Sequence, residues 1–497
     1  MTCARTSAGV VPRPLAVCLA GLWVAASASG VLAQDFRGWA TTSVQLVELR
    51  PIGLDSVPRS DVVQDAAGRF SYDGREVSCV TTTLCTGYFA LADDHTIAAT
   101  QDLHLTYWGF GVQGLSATAL VRARARSGGD LTWPRADDEF DAMLAYAQLQ
   151  RGPVRVRAGR QDMASGLGFS GFDGASASYA GGSWRAELYG GRSLARGLRE
   201  PANEALRGLD DFFVDESVLM VGASGSLRDF GSVVTARYQR EILWDRSSLV
   251  SERGSIDFST TSLPRVHVRG SFDYDFSFER VGKAELTVSS PFAEGRWLGE
   301  LSARRYVPYF DLSTIWGYFE PVSYGEVVAR VGWSPSGTLS AWLSGGWRTY
   351  MDTETEVIFT PMRDDGWRAE AGGRWQLAQA WRADGRYQLE WGPGGFLNSV
   401  EASVRFDATG WLGTSLTGLS FQQIEEYRLG EGRAFGGGAS ADVQVSDRIA
   451  LSAGFSMIRH RDGGNAFTSP WNQARGWSSL RFAVGGDPGL ADRRGRP

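Results

Sequence analysis

Apolar and polar residues alternate with a period of two in segment after segment of this chain, the pattern of strands with one face on each of two environments. In Leu115-Ser-Ala-Thr-Ala-Leu-Val-Arg-Ala-Arg-Ala-Arg126 the odd positions are Leu, Ala, Ala, Val, Ala and Ala, while the even positions end in Arg122, Arg124 and Arg126. From Arg265 to Phe278 one face carries Val266, Val268, Phe272, Tyr274, Phe276 and Phe278. The other carries Arg265, His267, Arg269, Asp273 and Asp275. The same alternation marks Trp184–Ser193, Trp297–Arg304, Thr338–Arg348, Trp381–Glu390, Val400–Phe406 and Ile449–Arg459.

A soluble sandwich also alternates, but its strands are usually about 5–6 residues long. Here the segments reach about ten residues or more, the length of a strand that crosses a bilayer. Aromatic residues gather near segment ends, as at Tyr107-Trp108, Trp184, Trp244, Trp347, Trp391 and Trp411. Short connections fall at Gly111–Gly114, Arg151–Pro153, Gly181–Ser183, Arg228–Gly231, Leu263–Pro264, Pro291–Gly295, Ser334–Gly337, Ala378–Gln379, Asp407–Gly410 and Ser446–Asp447. Longer or more polar stretches alternate with them: Gly128–Asp138, Ala195–Asp215, Val307–Ser323, Met351–Asp365 and Gln423–Arg433. The parity predicts an all-β, transmembrane antiparallel barrel of about 22 strands, within a range of about 18–22. Its first strand, Gly38–Glu48, and its last, Trp477–Val484, run oppositely and can pair to close the wall.

Some segments lie outside this pattern. Residues 1–33 have the layout of a signal peptide: Arg5 and Arg13 without acids, an apolar run from Leu15 to Ala26, and Val31-Leu32-Ala33 before Gln34. Beyond it no apolar run is long enough for a membrane helix, so a membrane-bound form must be a closed barrel. Residues 34–484 are expected to form that barrel. Within them, residues 51–94 are too long for a passive connection and are expected to cap the mouth or fold inward. Cys79 and Cys85 lie in this stretch, and two cysteines so close in an exported chain most simply form a disulfide. No separate plug domain is expected before the first strand. Residues 485–497, with Pro488 and three arginines, are expected to be a disordered periplasmic tail.

Composition sharpens this reading. The 62 glycines and the 18 Trp, 15 Tyr and 25 Phe suit tight turns and strands better than helix bundles. A formal charge of -6 excludes a strongly basic nucleic-acid binder. Lys283 is the sole lysine, so nearly all positive charge is guanidinium, which suits planar pairing with carboxylate, sulfate or phosphate.

Val154-Arg-Val-Arg-Ala-Gly-Arg-Gln-Asp162, followed by Gly166-Leu-Gly-Phe-Ser-Gly-Phe-Asp-Gly174, resembles bacterial porins. Over residues 154–179 it is most similar to the alginate-export type of outer-membrane barrel, through Gly159-Arg160-Gln161 and Phe172-Asp173-Gly174. The resemblance implies a passive pore or a conduit for an anionic polymer. The same stretch holds a literal G-x-G-x-x-G at Gly166, Gly168 and Gly171. A dinucleotide site needs a parallel strand before it and a helix after it, so here it reads as an outer-loop turn.

The chemical feature is basic. Arg122, Arg124 and Arg126 lie on one predicted strand; Arg155, Arg157 and Arg160 lie two strands over, across from Gln148 and Gln150; and Asp141 offsets them. With Arg265 and Arg269 they are candidate pore-lining residues that draw anions into a low-dielectric constriction. Bridging of the same arginines to acids on an infolded loop is the plainer reading, and the two are compatible. Acidic clusters at Asp137-Asp138-Glu139, Asp210-Asp211, Asp215-Glu216, Asp352, Glu354, Glu356 and Asp364-Asp365 are solvated outer loops, or share divalent cations with lipopolysaccharide phosphates. His95, His104, His267 and His460 show no metal spacing, and no nucleophile elbow stands in a strand–turn–helix context. Neither an enzyme nor a metal or cofactor protein is expected. The expectation is a bacterial outer-membrane channel for small solutes with an anion bias, or for export of an anionic polysaccharide. It would be embedded in outer-membrane lipid and lipopolysaccharide, alone or as a homo-oligomer. A sheath around a periplasmic partner, such as a multihaem electron carrier, is the alternative.

Overall fold

The computed structural model describes residues 36–485 apart from 51, 66–67, 73–74, 80–81, 91–93, 129–139, 195–216, 246, 308–322, 352–364, 393–394, 426–429 and 463–470. Twenty-two antiparallel strands of 10 to 17 residues form one closed sheet, from Phe36–Leu49 to Trp471–Gly485. Phe36–Leu49 seals it, with Thr41 opposite Asp102 on one edge and Arg481 on the other. The first and last strands thereby leave no free sheet edge between them, the condition for crossing lipid.

All ten short connections expected from the sequence lie at one rim, the rim where the first strand begins. Their chemistry fits the twist of tight hairpins: Phe230-Gly231 takes φ of 43° and 74° between Val218–Asp229 and Ser232–Leu243. Arg265, expected on the wall, stands instead in the two-residue turn after Pro264, at φ 60°. The strand pattern ran one residue too far there, because a turn between two alternating strands keeps the same polar phase.

The apolar side chains point outward. Leu188, Leu301, Leu343, Leu416 and Phe455 are all more than half exposed, while among the described residues the buried apolar side chains gather in two small clusters and a few isolated positions. A water-soluble protein does not present apolar surface on this scale. Toward the short-turn rim Tyr179 stacks on Trp184 and Trp381 on Phe406, at ring separations of 4.7 and 4.4 Å. Toward the other rim Trp347, Trp367 and Trp391 stand side by side on adjacent strands. These two aromatic levels bracket the lipid-facing band.

Between the first two wall strands, the described residues of 52–90 form a small folded lobe rather than a plain loop. Ile52–Pro58 pairs with Leu84–Ala90, and Val63–Gln64, Phe70–Tyr72 and Arg75–Glu76 make a second sheet. Val57, Val77 and Cys85 are its core, and Cys79 is disulfide-bonded to Cys85. The proposed signal peptide, the tail beyond Gly485 and four of the five longer connections, with nearly all their acidic clusters, lie outside the described residues. The fifth is tighter than expected, since its flanking strands run to Glu425 and resume at Gly430.

Candidate functional site

Among the described residues the wall opens beside the hairpin of Val154–Ser165 and Gly168–Ala180. Phe140–Arg151 pairs with Val154–Ser165 from Arg151↔Val154 only as far as Ala145↔Arg160. On the other side, Gly168–Ala180 pairs with Trp184–Ser193 only up to Phe172↔Ser193. The two strands between remain paired to each other up to Ser165↔Gly168. Residues 161–165 are therefore detached from Phe140–Arg151, while on the other limb Gly171 still accepts a hydrogen bond from the Leu194 N–H at 2.8 Å, at the end of the described residues of that neighbour.

The hairpin leans into the lumen. Its tip residue Gly166 lies so close to the wall that a Cβ there would be 2.5 Å from Asp257 Oδ2 and 2.9 Å from Arg237 Nη1. Asp257 and Arg237, themselves ion-paired, alternate with Ile256, Phe258 and Tyr238 on the lipid side, so they face inward. Beneath the hairpin, Gln239 Nε2 donates to Ser170 Oγ at 3.5 Å and to Glu241 Oε1 at 3.2 Å, and Tyr189 Oη donates to Gln239 at 3.1 Å. Phe172 and Met220, fully buried, pack with Tyr189 and Met163 in the same layer. Polar wall residues that a bare barrel would leave wet are thus covered and hydrogen-bonded.

The motif that resembles the alginate-export type makes this bend. Gly159 takes φ of 120°, open to glycine and hostile to other residues, just before the strands separate. Arg160 then grips Asp173 with Nε and Nη2 at 2.8 and 2.9 Å, while Nη1 donates to the Ala142 carbonyl at 2.9 Å. That carbonyl belongs to the strand the hairpin has just left. Arg160, expected among the anion-attracting residues, is committed to this clasp. The G-x-G-x-x-G, expected in an outer-loop turn, forms the infolded limb.

A recess of about 180 Å³ lies against the hairpin, lined by Arg155, Arg157, Arg185, Asp162, Glu187 and Tyr189 among others, three guanidiniums against two carboxylates. Arg185 pairs with Glu187 at 3.0 Å. Arg157 donates to Gln148 Oε1 at 2.7 Å and stacks on Tyr146. Arg155 reaches Ser178 Oγ at 3.4 Å. Neither Arg155 nor Arg157 has a carboxylate within ion-pair distance among the described residues, so the recess keeps uncompensated positive charge.

The other half of the expected stripe stands apart. By register Arg157 is level with Gln148 and Ser116, six residues or about 20 Å along the strand from Arg122. Arg122 is held bidentately by Asp102 at 2.6 and 2.9 Å. The sequence reading credited Asp141 alone as the local acid. Asp102 sits in the right polar phase of its own strand, but only the register puts it opposite Arg122. Arg124 Nε is buried without a hydrogen-bond partner among the described residues, and Arg126 lies two residues further toward the long-connection rim. Arg269 lies 3.9 Å from Glu300, on a different sector of the wall.

Sequence reasoning also missed a network ten strands round from the recess. Glu326, nearly inaccessible, takes Arg304 at 2.7 Å, Arg348 at 3.0 Å and Arg368 at 3.1 Å, and Arg348 also reaches Glu390 at 3.2 Å. Arg304 and Arg348 both stack on Tyr324. Each residue had the polar phase of its strand, but their convergence depends on cross-strand register.

Fold and lumen together define a closed, transmembrane-type β-barrel of 22 strands whose interior is charged and narrowed by its own wall. No known family and no curated protein matches the sequence. Among solved structures, the chain is similar to the siderophore receptor PirA from Acinetobacter baumannii, with 9% identity over 92% of this chain and 81% of that one and a TM-score of 0.49. It is similar to a BenF-like porin from Pseudomonas fluorescens Pf-5, with 9% identity over 92% and 100% of the two chains and a TM-score of 0.41. It is also similar to OccK2 (OpdF) of Pseudomonas aeruginosa, with 10% identity over 90% and 96% and a TM-score of 0.40. Likenesses this distant add nothing to the reading of the lumen, which rests on its own residues.

Proposed function

We propose that this protein is an outer-membrane channel through which small anionic solutes pass without energy input. The observation that carries the reading is the pair Arg155 and Arg157, without ion-pair partners among the described residues, in a recess against a hairpin that narrows the lumen. Fixed guanidinium charge between low-dielectric walls concentrates anions. Several weak sites, rather than one tight one, let them leave again. On the far wall the arginines around Glu326 are already engaged by carboxylates, which leaves the recess as the more anion-attracting sector. Short turns at one rim and two levels of aromatic residues support the outer-membrane setting, and the signal-like start supports export. Passage of an anionic polysaccharide is the same chemistry with a longer cargo. A hairpin already inside the barrel leaves less room for a folded partner, which disfavours the sheath.

The test is a planar-bilayer recording of the purified protein in a salt gradient. Steady conductance with a reversal potential on the anion side supports the proposal. A folded barrel that stays silent, or that prefers cations, overturns it.

A further inference from the structure

On the lipid-facing side, a charge stands in the apolar surface above a groove. Arg305 is exposed, points away from the lumen in alternation with the inward Arg304, and has no ion-pair or hydrogen-bond partner among the described residues. Its cross-strand neighbours are Ala284 and Gly325, neither of which can pair with it. Below it opens a groove of about 710 Å³ walled by Phe258, Phe272, Leu286, Val327 and Trp347. By register Arg305 is level with Gly325 and Thr349, two residues past Trp347 toward the long-connection rim. That is about 7 Å beyond the row Trp347, Trp367, Trp391. An aromatic row marks the level where acyl chains give way to headgroups. A bare cation just above it, over an apolar groove, matches a lipid with a phosphorylated head and several chains. A guanidinium among apolar side chains is costly unless an anion joins it.

We infer that Arg305 and the groove beneath it form a binding site for the phosphorylated glycolipid of the outer leaflet, lipopolysaccharide, with Arg305 on a lipid A phosphate and acyl chains in the groove. The site is independent of the channel reading and depends only on the long-connection rim facing outward.

The test is native mass spectrometry of the full protein in detergent with bisphosphorylated lipid A, and in parallel with phosphatidylglycerol and with inorganic phosphate. One lipid A should be retained per barrel. Retention should fall about tenfold or more in Arg305→Ala, and also in Phe272→Ala, which removes groove wall and no charge; heat-modifiable migration confirms that each variant is folded. Equal retention by Arg305→Ala overturns the site. Phosphatidylglycerol held as tightly as lipid A, through Arg305, overturns the glycolipid in favour of any anionic lipid. Capture of inorganic phosphate alone overturns the lipid requirement.

Discussion

Arg160 and Asp173 hold each other through two parallel hydrogen bonds at the level where their hairpin parts from the barrel wall, and the third arm of Arg160 reaches back to the Ala142 carbonyl on the strand left behind. One side chain thus closes the base of the hairpin and bridges the opening that its departure creates. Bidentate arginine–carboxylate contacts are among the stronger polar contacts available to a protein, and their planar geometry fixes direction as well as distance. Removing the carboxylate in Asp173→Ala should free the hairpin to move. Single-channel current should then become noisier and its mean larger, with the barrel still heat-modifiable. A current trace indistinguishable from that of the unaltered protein would show that the clasp does not set the aperture.

The two groups of arginines should respond differently to charge reversal. Neither Arg155 nor Arg157 has a carboxylate within ion-pair distance among the described residues, so Arg155→Glu or Arg157→Glu should move the reversal potential clearly toward cations. Arg122 is already neutralised by Asp102 at 2.6 Å. Arg122→Glu changes the formal charge by the same two units. Because that charge lies about 20 Å along the strand from the recess, beyond the screening length of about 10 Å at 0.1 M salt, the selectivity should shift much less. Reversal potentials at 0.1 M salt, measured for all three, decide the matter.

The fold was legible because its cause is local. A strand between lipid and lumen must alternate, and a hairpin turn must break the run with Gly, Pro or a polar pair; both leave marks within a dozen residues of sequence. All ten tight turns and the strand total followed from those marks. The site was legible only in part, because it depends on which residues face each other across strands. Arg122 and Asp102 are twenty positions apart and Arg304 and Glu326 twenty-two, and alternation says that each points inward without saying at what height. Arg265 was misplaced because a polar turn residue keeps the phase of the strand beside it. Gly159-Arg160-Gln161 and Phe172-Asp173-Gly174 caught the eye as a resemblance. Their physical role, bending and fastening a hairpin inward, needed the points at which pairing stops.

Replacing residues 162–170 by a short glycine-containing turn should leave the barrel folded, since among the described residues this stretch lends no strand pairs to the neighbouring strands. Conductance should rise and anion preference fall together, because the recess loses its cover and its walls move into bulk-like water. A rise in conductance with selectivity intact would place the filter elsewhere, with the Glu326 network the next candidate.

The small lobe should be separable from the barrel. Cys79 and Cys85 close a short loop at its core, and a disulfide of this kind commonly contributes about 2–4 kcal/mol to the unit it staples. Cys85→Ser should make residues 52–90 much more sensitive to added protease while the wall keeps its heat-modifiable migration. Loss of the folded barrel in that variant would mean that the lobe is needed for assembly.

Glu326 gives the sharpest stability prediction. Its carboxylate is nearly inaccessible and meets three guanidiniums, so its loss leaves three cations crowded together with only Glu390 in reach of one of them. Removing one member of a buried charge cluster costs about 3–5 kcal/mol, because the remaining charges keep their desolvation penalty without the attraction that offset it. Partial exposure of the arginines to lumenal water softens this, so Glu326→Ala should lose about 2–3 kcal/mol in urea unfolding from lipid vesicles. Glu326→Gln keeps the shape and two hydrogen-bonding groups but none of the charge. It should lose nearly as much if electrostatics dominate, and far less if packing and hydrogen bonds do.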